Sequence, residues 1–357
     1  MLRSGGCPMS YTIRRADLKT DRQEILSLWE RNNLHIPEQK FSWMYEHNPH
    51  GPARCWLACD TISGSAIGAA ALFPKRLLVG GRSCLAGIAG DFVVDKKHRL
   101  LGVALAIQKA ALSAHRQDSF DFLYSLPNAQ SERVLERAGY RNIGGVVWMT
   151  KPMRSFSLLQ QSGRIPLGAR VWTRPLDLLL RLASKETYSR ERGSYSLEVL
   201  SEADERFDEF CADTRGRYAI FAERDRRHLN WRFAACPFKR YTLFALVDTL
   251  SRKIAGYIAS YISQGRVYIA DLLASDTGNS LACLLSEFLL WQRKQGATAV
   301  SIIFCGAPGL VGTLKRYGFM LRRQNAKMQV FAEPDSALLP SLLDQTEWLL
   351  FEGDSDL

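Results

Sequence analysis

The chain has 357 residues, and its 47 Lys and Arg exceed its 36 Asp and Glu by 11, which gives a net charge of +11. Hydrophobic residues make up 46% and charged residues 23%, which is typical of a globular protein, and the length predicts two domains. No apolar run approaches about 18 residues, so we expect no transmembrane helix. Residues 1–17 lack the apolar core of a signal peptide, and the eight cysteines form no C-x-x-C pair. We therefore expect a cytoplasmic protein with reduced thiols and no metal.

Hydrophobic periodicity predicts strands and helices in alternation over residues 11–149. The predicted strands are Tyr11–Arg15, Ala53–Asp60, Gly68–Val79, Ser83–Val94, Asp121–Ser125 and Gly145–Met149. The predicted helices are Asp21–Arg31, Phe41–His47, Leu101–Arg116 and Ser131–Ala138. An antiparallel meander that leads into one strand–helix–strand crossover predicts an α+β fold, with a mixed, mostly antiparallel sheet and helices on both faces.

The junction between the fourth predicted strand and the following helix reads Arg99-Leu100-Leu101-Gly102-Val103-Ala104. A basic residue, a glycine and a small residue at such a junction expose backbone N–H groups at the positive end of a helix. That arrangement binds phosphate or pyrophosphate groups. The pattern R-x-x-G-x-A is short, so its weight depends on the elements around it.

Three sequence patterns occur twice, in the same order. The segment around Trp43 matches the segment around Trp231 at an offset of 188, with an aromatic residue two positions later and Pro four after that. Asp91 and Asp271 begin similar apolar segments at an offset of 180. Arg137-Ala138-Gly139-Tyr140 resembles Arg316-Tyr317-Gly318-Phe319 at an offset of 179. These matches predict two copies of one fold.

The region between the copies is strongly basic. Residues 151–193 contain nine Lys or Arg and three acids. One interpretation is that this region is a solvated connector. The other is that it forms a surface for anionic partners such as phospholipid, because leucines lie among the basic residues of the range 164–185. We expect the domains 1–152 and 195–335, a basic connector at 153–194 and a C-terminal tail or helix at 336–357.

The element order of residues 11–152, with R-x-x-G-x-A after the fourth strand and a helix that ends in Gly139-Tyr140, resembles the GCN5-related N-acetyltransferase (GNAT) superfamily. Residues 195–332 resemble it in outline. The resemblance implies tandem GNAT-like domains and a cofactor, acetyl-CoA or another acyl-CoA, without a metal. It implies that Arg99, Leu100, Leu101, Gly102, Val103 and Ala104 bind the pyrophosphate, that the main chain of Val93 and Val94 pairs with the pantetheine arm, and that Asn128 faces that arm.

The second copy departs from the pattern. An offset of 180 without gaps places Asn279, Ala282 and Leu284 at the positions of Arg99, Gly102 and Ala104. The basic residue is lost and larger side chains replace the small ones. We therefore predict that the second copy binds no CoA and instead completes the acceptor cleft or stabilises the first copy. A tandem chain in which only one copy keeps a cofactor site resembles the FemAB and N-myristoyltransferase types in this one property.

The first copy lacks the tyrosine that protonates the departing thiolate in many family members, because Leu135 stands at that position. Tyr124, at a strand end, is the candidate substitute, and packing is the alternative role for it. Asp91 is the candidate general base. Its alternative roles are to bind a cationic acceptor or to serve a structural purpose that it shares with Asp271. We expect Trp43 and Asp271 to contact the acceptor.

The function that the sequence predicts is CoA-dependent transfer of an acyl group, in a ternary complex, to a primary amine such as an amino sugar, an amino acid or a polymer precursor. One alternative is a FemAB-type aminoacyl or long-chain acyl transferase, and another is a non-catalytic protein that senses CoA or binds a membrane or partner. A peripheral contact with the inner membrane surface through residues 164–185 is compatible with each, and no specific nucleic acid is expected.

Overall fold

The computed structural model describes residues 11–34, 37–115, 117–155, 177–178, 181–182, 184–188 and 194–356, without the side chains of residues 100 and 101. The basic connector therefore lies mostly outside the described residues. Within it, the side chains of Leu178 and Leu182 are exposed.

Among its described residues, the first half contains seven strands and four α-helices. Its strands are β1 Tyr11–Arg15, β2 Arg54–Asp60, β3 Ala66–Val79, β4 Arg82–Val94, β5 Phe122–Ser125, β6 Arg141–Gly145 and β7 Val147–Pro152. Its helices are α1 Arg22–Arg31, α2 Glu38–Lys40 (continued by a π-helical segment Phe41–Glu46), α3 Val103–Ala114 and α4 Ala129–Ala138. The short helix predicted at residues 41–47 is thus π-helical. The predicted final strand, residues 145–149, covers the end of β6 and the start of β7, which Val146 separates.

Strands β1 to β4 form an antiparallel meander, and β5 joins β4 in parallel. Because α1 and the π-helical segment cover one face of β3 and α3 covers the other, nearly every residue of this 14-residue strand is buried. Such double coverage explains its continuous apolar sequence. The helices lie on both faces, as predicted.

The second half repeats the series. Its elements are β8 Tyr195–Leu200, α5 Arg206–Asp213, β9 Ile220–Ala222, α6 Arg226–Leu229 with a π-helical segment Asn230–Ala234, β10 Tyr241–Asp248, β11 Ile254–Ser263, β12 Arg266–Ala274, α7 Asn279–Lys294, β13 Ala299–Gly306, α8 Pro308–Arg316, β14 Met320–Leu321 and β15 Lys327–Phe331. Trp43 and Trp231 mark the pseudo-symmetry: their rings stack with centroids 4.8 Å apart, and each indole N–H donates to the other residue's carbonyl.

The two halves exchange their final strands. Strand β7 leaves the first half and pairs with β13 and β14 of the second, while β15 inserts between β5 and β6 of the first. The described strands consequently form one sheet that runs through both halves.

The C-terminal segment is more than a tail. After α9, Leu339–Leu343, the strand β16, Trp348–Phe351, lies between β9 and β13 with all four residues buried. The carboxylate of Asp354 then accepts from Lys75 of the first half at 3.0 Å and from Arg224 of the second at 2.8 Å. The segment predicted as a tail or helix therefore joins the two halves.

Candidate active site

Strands β4 and β5 pair only over three residues and then diverge. The last pair is Ile88 with Tyr124, and beyond it a bulge places Asp91 and Phe92 opposite Ala70 of β3. Asp91 has a φ of +44°, a left-handed conformation that costs energy for a residue with a side chain. We call the gap between the ends of β4 and β5 beyond these pairs the wedge; the Ser125 hydroxyl, which donates to the Ala89 carbonyl at 2.9 Å, lies at its inner end.

Val93 and Val94 form the β4 side of this wedge, beyond the bulge. Both side chains are buried and the Val94 carbonyl accepts from Arg99 Nε, so a ligand there would meet their remaining main-chain groups. Within the described part of the chain, no strand pairs with the β4-facing edge of β5 after Tyr124.

The loop after β4 leads directly to the N-terminus of α3. Residues Lys96–Leu101 form a 3₁₀ turn, and Gly102 then adopts a φ of +75° before α3 begins. No side chain that the structure describes caps α3, so its first N–H groups have no side-chain acceptor. Arg99 donates from Nε to the carbonyl of Val94 at 3.1 Å and closes the loop.

The individual residues of the predicted cofactor loop lie in different surroundings. Gly102 is exposed, Ala104 is half-buried and Val103 is buried in the core, where it packs with α3 and β4. The side chains of Leu100 and Leu101 lie outside the described residues. Among the described atoms, a Cβ added at Gly102 would meet the Tyr11 hydroxyl, 3.8 Å away, and no other, so the space above Gly102 is open to that extent.

The same place in the second copy is closed by a carboxylate. Asp276 accepts hydrogen bonds from the N–H groups of Gly278 and Ser280, at 2.7 and 3.1 Å, at the start of α7. Although partial burial opposes it, hydrogen bonds from Ser280 lower the pKa of this carboxyl. A negative charge thus occupies the end of α7 that would otherwise attract an anion.

The ungapped alignment of the two loops was wrong by four residues. The N-cap of α7 is Gly278, so it corresponds to Gly102, whereas the offset of 180 places Ala282 there. The loop is shorter in the second copy. The group at this helix end is the carboxylate of Asp276, and Ala282 and Leu284 lie further along α7.

Asp91 lies in a buried cluster of polar side chains on the α1 face of the sheet. Its carboxylate accepts from Lys40 Nζ at 2.8 Å and from the Tyr45 hydroxyl at 3.1 Å, and its side chain is 6% exposed. Asp356 packs over Gly90 and accepts from the Asp91 N–H. Burial, and then the charge of Asp91, raise the pKa of the Asp356 carboxyl. Two carboxylates and one ammonium therefore share a site beside the wedge.

The sequence analysis missed Lys40, Tyr45 and Asp356. Tyr45 lies within the repeated Trp-x-aromatic pattern, so the repeat carried a signal for it, whereas Lys40 lies three residues before Trp43 and outside that pattern. Asp356 lies 265 residues after Asp91, and only the path of the C-terminal segment brings the two together.

The remaining predicted residues divide between the site and its frame. The Tyr124 hydroxyl donates to the carbonyl of Asp354 at 2.7 Å, and burial raises its pKa well above the usual value. Asn128 accepts from Gln130 and Ser131 as the N-cap of α4. Trp43 borders a surface groove of about 460 Å³ with Trp231. Their roles in catalysis and binding stay predictions.

Asp271 lies in the interior of the second copy, away from the surface. It forms a paired ion contact with Arg224 at 3.0–3.1 Å and accepts from the Tyr257 hydroxyl. It is 2% exposed, and these partners occupy both of its oxygens. Its surroundings are therefore those of a structural ion pair rather than of the predicted substrate contact.

Two further observations concern the described residues. Among them, no group of three His, Cys, Asp or Glu side chains is arranged to hold a metal ion. Their helices also include none with the length and apolar character needed to cross a bilayer.

Comparison with known proteins identifies the fold. No protein-family model and no curated protein matches the chain. A GCN5-related N-acetyltransferase from Anabaena variabilis matches with a TM-score of 0.64 and 13% identity, over 90% of this chain and 72% of that one. A probable N-acyltransferase from Enterococcus faecalis matches with a TM-score of 0.63 and 14% identity, over 90% and 71%.

A tandem GNAT protein of the clavulanic acid biosynthesis pathway matches along almost its whole length. Its TM-score is 0.54 at 12% identity, and the match covers 90% of this chain and 98% of that one. The chain therefore has the fold of the GCN5-related N-acetyltransferases, present as two tandem copies.

Proposed function

We propose that the protein is a CoA-dependent N-acyltransferase whose cofactor site lies in the first copy. The observation that carries this proposal is the contrast between the two copies. In the first, the wedge leads to a helix end without a side-chain cap; in the second, Asp276 caps the corresponding helix and β16 pairs with β13 beyond its last contact with β12.

The residues of the first copy fit an acyl-CoA. The N–H groups at the start of α3 and the space above Gly102 suit a pyrophosphate, with Arg99 beside them. The main chain of Val93 and Val94 suits the amides of a pantetheine arm. When bound, the acyl-CoA supplies an activated thioester.

The polar cluster around Asp91 would prepare the acceptor. An amine must lose a proton before or during attack, and a buried carboxyl with a raised pKa is a better proton acceptor than an exposed one. Asp356 has such a pKa, and Asp91 lies against it. Lys40 and Tyr45 hold Asp91 at the bulge. We propose that the two carboxylates share the acceptor's proton.

Calorimetric titration with acetyl-CoA tests the cofactor site. We expect one binding site per wild-type chain and no measurable binding by Gly102→Glu, because that change adds bulk and a negative charge at the helix end. The matched control is Gly278→Glu, at the same position of the second copy, which should bind as wild type does. Absence of binding by wild type would refute the proposal, and equal loss in both variants would place the site elsewhere.

The non-catalytic alternative also has an observation in its favour. Leu135 is buried where many family members carry an acid, and the Tyr124 hydroxyl is already bonded to a main-chain carbonyl. An acetylation assay with a panel of primary amines separates the two: cofactor binding without turnover on any amine would favour a sensor. The FemAB-type alternative and the membrane contact of residues 164–185 stay predictions.

A further inference from the structure

The second copy contains a cavity that the proposed reaction does not use. It has a volume of about 580 Å³, within the range of small-molecule sites. It lies where β12 has separated from β13, since the last residue pair of these strands is Ile269 with Ile302 and the cavity begins at Leu272. It therefore lies at the place of the first copy's wedge, but between β12 and β16, because Trp348, Leu349 and Phe351 of β16 also line it.

The inner wall of the cavity is apolar. Leu272, Leu273 and Ala274 of β12 form one side, Leu281 of α7 and Leu310 of α8 form another, and all five side chains are buried. A wall of this kind favours an apolar ligand body, because the ligand's own hydrocarbon leaves water when it enters the cavity.

The mouth of the cavity is basic. Arg217 and Arg316 line it, with Glu347 as the acidic residue among its lining. Arg217 Nε donates to the Asp213 carbonyl and Arg316 to the Thr313 hydroxyl, and among the described residues neither guanidinium forms an ion pair. Arginine binds carboxylates through paired hydrogen bonds, and both guanidinium groups keep donors free for this.

The acid at the start of α7 limits the charge of the ligand. Asp276 precedes Thr277, which lines the cavity. The Asp276 carboxylate accepts hydrogen bonds from the N–H groups at the start of α7 that would otherwise bind a phosphate. A multiply charged phosphate would meet this carboxylate and Glu347, whereas a singly charged group can pair with Arg217 and Arg316.

We propose that this cavity binds an organic carboxylate with an apolar body, of the size of a medium-chain fatty acid. The hydrocarbon chain of the ligand packs against the apolar wall, and its carboxylate pairs with Arg217 and Arg316 at the mouth. The proposal rests on this cavity alone, so it stands or falls independently of acyl-CoA binding by the first copy.

Calorimetric titration of the full chain with sodium decanoate is the test. We expect one saturable site, and binding of decan-1-ol at least five-fold weaker because it lacks the charge. The double variant Arg217→Ala/Arg316→Ala should bind decanoate at least ten-fold more weakly, while Arg215→Ala, an exposed arginine outside the cavity, should bind as wild type does. Acetyl-CoA at saturation should leave decanoate binding unchanged.

A second variant tests the cavity itself. Leu310→Trp fills it from α8 and should abolish decanoate binding, with a cooperative thermal transition as the check on folding. The proposal is overturned if wild type shows no saturable site, if the double arginine variant binds like Arg215→Ala, or if acetyl-CoA displaces decanoate. If Leu310→Trp does not fold, the double arginine variant decides.

Discussion

Asp91 and Asp271 occupy the same position in the two copies but have different partners. Asp91 faces an ammonium, a phenol and a second carboxylate beside the wedge, while Asp271 is enclosed by Arg224 and Tyr257. A shared sequence position therefore does not imply a shared role. The surroundings favour chemistry at Asp91 and stability at Asp271.

Substitution by asparagine separates these roles. Asp91→Asn should reduce acyl transfer at least about 100-fold, as loss of a general base does. The change in unfolding free energy should be small, because the Asp356 carboxylate remains near Lys40. Asp271→Asn should lower the free energy of unfolding by about 3 kcal/mol, because Arg224 then keeps only Asp354 as a charged partner. Turnover and urea denaturation measure the two effects. If Asp91→Asn mainly lowers stability and Asp271→Asn mainly lowers turnover, the two roles proposed here are reversed.

The positive charge of Lys40 offsets the negative charges of the two buried carboxylates. The loss of unfolding free energy when Lys40 is replaced should therefore depend on pH. A carboxyl whose pKa is raised in the folded chain, as that of Asp356 is, contributes stability at low pH that is lost as pH rises through the folded pKa. Without Lys40 this loss grows. Lys40→Met should be destabilised by about 3 kcal/mol at about pH 8 and much less at about pH 4.

The control for this prediction is Lys19→Met, since Lys19 is exposed. Urea denaturation of both variants across the pH range measures the difference. A deficit for Lys40→Met that does not vary with pH would mean that packing of its alkyl chain, and not its charge, is what the substitution removes.

Among the elements, β16 determines how the two copies meet. It pairs with β13 on one side and β9 on the other, and β9 in turn pairs with β3, so the sheet of one half continues into the other through this strand. The segment after β16 then brings Asp354 to Tyr124 and Asp356 to Asp91. One C-terminal strand thus closes the sheet and completes the candidate site.

Truncation of one side chain tests how much β16 contributes to the free energy of unfolding. Trp348→Ala should cost about 3–5 kcal/mol of unfolding free energy, because Trp348 is 1% exposed and packs against Phe122 and Tyr124. Ile62→Ala, at a site 92% exposed, should change it by less than about 0.5 kcal/mol. Similar values for the two variants would mean that β16 is peripheral to stability.

At the scale of the molecule, the exchange of β7 and β15 makes each half dependent on the other. Residues 1–190 alone would lack β15 and leave β5 and β6 as open edges, and residues 191–357 alone would lack β7. Open edges promote aggregation. We expect each half expressed alone to be insoluble and the two halves expressed together to be soluble, as measured by sedimentation and size-exclusion chromatography. A soluble monomeric half would contradict this.

The sequence by itself indicated most elements of the first copy and the repeat, and it predicted where a cofactor loop would lie. These rest on local patterns: apolar periodicity, a glycine before an amphipathic helix and the recurrence of Trp43 at Trp231. Such signals lie within a few residues of one another, or repeat at a constant offset, so no tertiary information is needed to find them.

Only the tertiary structure decided the strand exchange, the place of β16, the partners of Asp91 and the four-residue correction that aligns Gly278 with Gly102. Each depends on residues far apart in the chain, and the sequence pattern of a strand is the same whichever neighbour it pairs with. Charge pairing is also set by packing: Asp91 and Asp271 read alike in sequence, and only the side chains packed against them make one a candidate base and the other a structural acid.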